Sequence, residues 1–154
     1  MTTPVEPCAE LLLDNQLCFK LYAASRAVIR AYKPMLDALG LTYPQYLAML
    51  VLWEWQEQAP GQPTLKALGQ RLQLDSGTLT PLLKRLEQMG LVQRRRAQAD
   101  EREVHLALSD AGRALQAQVL PLKAQLLCQF ADQDLLEMEG LRRSLDRLLT
   151  RLSE

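Results

Sequence analysis

Cys8, Cys18 and Cys128 are the chain's three cysteines, and His105 is its one histidine. An odd cysteine count without a secretory leader points away from a structural disulfide framework. No two cysteines have the close spacing of a zinc site, and one histidine does not supply the missing ligands, so no metal is expected. On helical stretches, Cys18 and Cys128 read in two ways, as small buried hydrophobes or as redox-active thiols. The second use needs the thiolate, which a free thiol with a pKa near about 8.5 supplies only in small part at neutral pH. Neither Lys20 nor Arg26 stands at a spacing that obviously favours the thiolate at Cys18. Phenolic hydroxyls serve instead by donating hydrogen bonds to sulfur, and Tyr22 lies four residues on, on the same helical face. Cys8 sits in a polar amino-terminal stretch and reads as a dispensable thiol.

A second group is basic. Arg94, Arg95 and Arg96 are consecutive, and Arg102 follows closely behind Asp100. The chain of 154 residues carries 18 Lys plus Arg against 18 Asp plus Glu. Taken whole, that neutrality argues against a nucleic-acid partner. Counted by segment, residues 1–65 have 4 basic and 6 acidic side chains, residues 66–113 have 9 and 6, and residues 114–154 have 5 and 6. The positive excess therefore sits in the middle, where the basic triplet reads either as a solvated surface patch or as a nucleic-acid-binding face.

The elements that must position these groups are mostly helical. Hydrophobic content of 48% and charged content of 23% match an ordinary folded domain. No run approaches the roughly 18–20 apolar residues that cross a bilayer, and MTTPVEPCAE lacks the features of a signal peptide, so a cytoplasmic location without membrane contact is expected. Apolar residues recur at helical spacing from Ala9 to Tyr32, with Pro34 interrupting or kinking the helix and Gly40 closing it. Thr42 caps a nearly all-apolar helix from Tyr43 to Glu57. After the breaker-rich 59–63 loop, Thr64 caps a short helix, Leu65 to Leu72, and Asp75 caps another, Ser76 to Met89, closed by Gly90. This pair suggests a helix-turn-helix. Leu91–Arg95 and Val104–Leu108 read as a hairpin with a polar tip at 97–101. Ser109 caps a long helix to about Phe130, bent near Pro121, and a leucine-striped helix follows Asp132.

The string LDSGTLTPLLKRLEQMGLVQRRR, followed by DER and LSDAGR, resembles the MarR family of winged-helix transcription regulators. The stretch DNQLCFKLYAASRAVIRAYKPMLDALGLTYPQYLAMLVLWE is more narrowly similar to the organic hydroperoxide-sensing repressors of that family, two-cysteine type. The resemblance runs from about Leu12 to Leu152. It implies a mainly α fold with a small β-hairpin wing. Residues 1–154 would be a single domain, with 9–40 and 110–154 as the helical dimerisation region and 64–108 as the winged helix-turn-helix. The implied partners are double-stranded operator DNA, a second copy in a homodimer, and an organic hydroperoxide as inducer, with no cofactor.

The resemblance also assigns roles. Cys18 would be the peroxidatic and Cys128 the resolving cysteine, with Tyr22, Tyr32 and Tyr43 supporting the thiolate. Tyr32 lies 14 residues beyond Cys18, about 21 Å along a straight helix. It reaches that sulfur only if the helix folds back or if it comes from the partner subunit, which is the family's arrangement. Phe19, Leu21, Met35, Leu36 and Trp53 are expected to line an apolar peroxide pocket. Ser76, Thr78 and Thr80 would enter the major groove, Lys84 and Arg85 would take phosphates, and Arg94, Arg95, Arg96 and Arg102 would arm the wing. Asp100 would orient Arg102 into the minor groove. The expected outcome is a repressor released from DNA when Cys18 is oxidised and joined to Cys128, across subunits. The alternatives are a regulator switched by a small phenolic ligand without cysteine chemistry, and a thiol peroxidase.

Overall fold

The computed structural model describes residues 8–58, 61–98, 100 and 102–153. The first two residues of the 59–63 loop, part of the 97–101 wing tip and both extreme termini lie outside the described residues. Six helices and one hairpin follow in order: α1 (Leu17–Leu39), α2 (Tyr43–Glu57), α3 (Leu65–Leu72), α4 (Ser76–Gln88), β1 (Val92–Arg96), β2 (Val104–Leu108), α5 (Asp110–Leu127) and α6 (Asp132–Leu152).

The caps form as expected. Thr42 accepts from the Gln45 N–H while Gln45 reaches back to the Thr42 N–H, a reciprocal capping box. Thr64, Asp75 and Ser109 cap α3, α4 and α5 through their side-chain oxygens. The first helix departs from expectation at its start. Ala9–Leu11 and Leu13–Asn15 form 3-10 turns, and Gln16 is extended before α1. The cause is side-chain competition for the backbone: Asn15 Nδ2 donates to the Ala9 carbonyl and Gln16 Nε2 to those of Glu10 and Leu12. Pro34 does not interrupt α1. It removes one backbone bond, but Met35, Leu36 and Leu39, all buried just beyond it, hold the last turns in the core. The fifth helix ends at Leu127, three residues before Phe130, with Cys128 as its C-cap.

The core lies where α2 crosses the other elements, with Tyr46, Met49, Leu68, Leu79, Leu83, Leu86 and Val92 almost wholly enclosed. The hairpin is antiparallel, with Val92 opposite Leu108 and Arg96 opposite Val104. It is fastened to α3 on its other edge, because the Leu106 N–H donates to the Pro63 carbonyl and Thr64 bridges to His105. Between α3 and α4, Gln73 takes a left-handed conformation at φ 54°. A Cβ at Gly69 would press on the Leu74 carbonyl at 2.9 Å, so only glycine allows this tight turn.

The start of α5 is the tightest joint. Ser109 caps α5 and also donates to the Gly90 carbonyl, its N–H donates to the Leu91 carbonyl, and Trp53 Nε1 donates to the Gly112 carbonyl at 2.8 Å. A Cβ on Gly112 would clash with the Leu91 carbonyl oxygen. Replacing Gly112 by Ala therefore pushes α5 off the hairpin and costs on the order of 3 kcal/mol. Thermal melting should drop by roughly 6–12 °C. An unchanged Tm would mean that the joint yields freely.

Candidate functional site

Two faces carry the groups singled out by sequence. On the first, α4 buries Leu79, Leu82, Leu83 and Leu86 and leaves Ser76, Thr78, Thr80, Lys84 and Arg85 exposed. Its amino end is well built. The Asp75 carboxylate accepts from the Thr78 N–H at 2.8 Å and the Thr78 hydroxyl at 3.1 Å, which holds the carboxyl below the usual carboxylate range, the backbone bond first. The Thr80 hydroxyl donates to the Ser76 carbonyl at 2.7 Å. Both threonine hydroxyl protons are thus committed within the helix. They present lone pairs outward, suited to base-edge amino donors.

The wing arginines divide by task. Arg95 and Arg96 are exposed, and Arg95 donates to the Gln93 side chain at 3.3 Å. Arg94 is different. Its Nε and one terminal nitrogen donate to Glu87 at 2.9 and 2.6 Å, and its N–H donates to the same carboxylate at 3.3 Å. This clamp ties β1 to α4 and turns Arg94 inward, away from the free face expected of it. At the tip, Asp100 accepts from the Arg102 backbone N–H at 2.9 Å, and the Glu103 N–H donates to the Asp100 carbonyl. Asp100 therefore shapes the turn that presents Arg102. It does not ion-pair with the guanidinium, which is in no salt bridge among the described residues.

The second face concerns sulfur. Cys18, the second residue of α1, and Cys128, at the end of α5, are both exposed free thiols in the protomer. Neither is a buried hydrophobe. Tyr22 is exposed, and its hydroxyl accepts from Arg26 at 3.3 Å while the guanidinium lies 5.4 Å from its ring centre. Arg26, eight residues beyond Cys18, stands about 12 Å further along the helix, and its partner is the Tyr22 hydroxyl. By accepting from Arg26, the Tyr22 oxygen leaves its own proton free for another acceptor.

Tyr32 and Tyr43 come together at the α1–α2 junction, with ring centres 5.8 Å apart and nearly perpendicular. The unforeseen member is Tyr46, 6.0 Å from Tyr32 and 6.4 Å from Tyr43. It is 2% exposed, and its hydroxyl has no partner among the described residues. Burial raises the Tyr43 pKa, with Tyr32 adding to it, and burial with both neighbours pushes Tyr46 up to about 12. These two phenols stay neutral and able to donate throughout the physiological range.

The expected pocket does not assemble within one protomer. Met35 lines a cavity of about 130 Å³ with Ala31, Pro34, Leu122, Gln125, Leu126 and Gln129. Trp53 lines a separate one of about 190 Å³ with Tyr46 and Val119. Leu36 is spent in the core, and Phe19 and Leu21 are half-buried on the amino-terminal half of α1, far from either cavity. Among the described residues no cluster of His, Cys, Asp or Glu offers a metal site.

The helix-turn-helix, hairpin and flanking helices have clear counterparts. The family profile described as "Transcriptional regulator SarA/Rot" matches residues 30–119. The organic hydroperoxide resistance transcriptional regulator of Bacillus subtilis is 50% identical over 115 residues, 75% of each chain. The chain belongs to the MarR family of winged-helix transcriptional regulators. Within that family it is of the hydroperoxide-resistance type. The regulator also resembles AbfR of Staphylococcus epidermidis in two states. Reduced AbfR bound to DNA matches at TM-score 0.76 and 40% identity, covering 92% of this chain and 95% of that one. Disulfide-formed AbfR matches at 0.66 and 38%, covering 91% of each. These relatives are transcriptional regulators. No single helix among the regulator's described residues is long and apolar enough to cross a membrane.

The Arg94 bond holds the Glu87 carboxyl below the usual carboxylate range. The regulator's clamp is therefore complete above about pH 4.3, the ordinary glutamate value, and is lost only as pH falls through the lowered Glu87 pKa. A carbon-13 titration should give Glu87 a midpoint below that ordinary value, and Arg94→Gln should restore it. An ordinary midpoint in the wild type would show that the clamp does not form in solution.

Proposed function

We propose that the regulator is a homodimeric, cytoplasmic repressor that holds operator DNA while Cys18 is reduced and releases it after organic hydroperoxide joins Cys18 to Cys128 of the other subunit. The dimer reading rests on unpartnered apolar surface. Leu17, Val28, Leu120, Leu136, Leu141 and Leu152 are all at least half exposed, and α6, 21 residues long, buries none of its residues. An isolated helix of this kind has little stability of its own, and a second copy supplies the missing cover. On this reading 9–40 and 110–154 form the dimerisation region and 64–108 forms the reading head.

The carrying observation is where the two redox elements lie. The neighbours of Tyr32 on α1 and of Cys128 just past α5, namely Ala31 and Gln129, line the same small cavity. Cys18 is 13 residues from Ala31 on the same unbroken helix, about 20 Å away. A disulfide needs Cα atoms within about 7 Å. This separation supports the reading that Cys18 of one subunit meets Tyr32, Tyr43 and Cys128 of the other.

The chemistry follows in two steps. The Cys18 thiolate, supported by donors from Tyr22, Tyr32 and Tyr43, attacks the distal peroxide oxygen. An S–O bond forms, the O–O bond breaks and the alkoxide leaves as the alcohol, so the peroxide is reduced and the sulfur becomes a sulfenic acid. The Cys128 thiolate then attacks that sulfur, the S–S bond forms and water leaves. On the DNA side, Ser76, Thr78 and Thr80 read the major groove, Lys84, Arg85, Arg95 and Arg96 take phosphates, and Arg102 enters the minor groove on the turn shaped by Asp100. Arg94 holds the wing in place. Moving the subunits relative to one another changes the spacing of the two α4 helices and so the fit to both half-sites.

Non-reducing electrophoresis after a stoichiometric dose of cumene hydroperoxide should give a dimer-sized band. That band should be absent from Cys18→Ser and Cys128→Ser. A monomer-sized product with Cys18 and Cys128 joined would contradict the intersubunit pairing.

A further inference from the structure

Lys66 is the second residue of α3 and is exposed. Its position is fixed by the wing, because the strand just before it, Pro63–Thr64, is bonded to β2 at Leu106 and His105. As a result Lys66 and Arg102 both line one cleft of about 320 Å³. On its other side Lys66 lines the groove between α3 and α4 together with Ser76, the first residue of the recognition helix. Lys66 thus lies between the element proposed for the major groove and the arginine proposed for the minor groove.

The two carboxylates of the cleft each have a partner other than Lys66 and the Arg102 guanidinium. Asp100 accepts from the Arg102 backbone N–H, and Glu103 lies 2.8 Å from His105 Nε2. Lys66 and Arg102 enter no ion pair among the described residues. Among the described residues the cleft thus shows two cations that no carboxylate pairs with. What separates the major groove from the next minor groove on a duplex is one phosphodiester strand, and a compact ammonium is a point charge suited to its oxygens.

We propose that Lys66 binds a phosphate on the operator strand dividing the major groove entered by α4 from the minor groove entered by Arg102. This inference rests on the DNA-binding reading above. It makes Lys66 an anchor that sets the angle between wing and recognition helix on the duplex without reading sequence.

The test uses the full-length reduced protein, a duplex selected by the wild type from random sequence, and an unselected duplex, each titrated by fluorescence anisotropy over a NaCl series. Lys66→Gln should weaken binding to both duplexes by a similar factor. It should also flatten the slope of log K against log[NaCl] by about 0.9 per engaged protomer, about 1.8 for a dimer on two half-sites. Lys66→Arg should restore the slope. An unchanged slope in Lys66→Gln, or a loss confined to the selected duplex, would overturn the proposal. Failure of the wild type to bind either duplex would instead overturn the DNA reading itself.

Discussion

Cys18 and Tyr32 stand on one uninterrupted helix, 14 residues apart, and about 21 Å of helical rise keeps them from meeting within a subunit. Everything proposed for the redox site depends on that separation. Had α1 folded back between Cys18 and Tyr32, a single chain could have closed its own sensor. Because α1 continues to Leu39, the tyrosine cluster at its far end waits for a sulfur from elsewhere. The exposed leucines of α1, α5 and α6 offer the surface on which a second copy would bring it. Oxidation would then be an event at the subunit boundary, where a small change of geometry is transmitted to two DNA-reading heads at once.

The route from that boundary to the wing is short and stiff. Met35, Leu36 and Leu39 anchor α1 in the core shared with α2. Trp53 of α2 is bonded to the Gly112 carbonyl at the start of α5, and that same turn is pressed onto the Leu91 carbonyl and bonded to Gly90. Glu87 and Arg94 join α4 to β1, and Pro63 joins β2 to α3. These joints, apolar packing, hydrogen bonds and one charge-assisted pair, give a displacement of α1 or α5 a close-packed route to the reading head.

Much of this was legible in sequence because it is written locally. Thr42, Thr64, Asp75 and Ser109 each announce a helix start through the chemistry of their own side chain. The alternation of Val104, Leu106 and Leu108 announces the strand. The amino-terminal start was misread because leucine periodicity continues through Leu13 and Leu17, while Asn15 and Gln16 tie up the carbonyls that a helix would use. The assignment of Arg94 changes because of a partner seven residues away, Glu87, which a charge run does not reveal. Tyr46 was missed because, in an apolar helix, a tyrosine reads as packing. Its orphaned hydroxyl is visible only once Tyr32 and Tyr43 are seen beside it.

The central claim is that peroxide acts through Cys18 to break the DNA complex. It is tested most directly by measuring binding of wild type and Cys18→Ser to a selected duplex, before and after cumene hydroperoxide. The account predicts that both reduced proteins bind, that the oxidant releases only the wild type, and that dithiothreitol restores it. Wild type that stays bound in oxidant, or Cys18→Ser that is released equally, would contradict it.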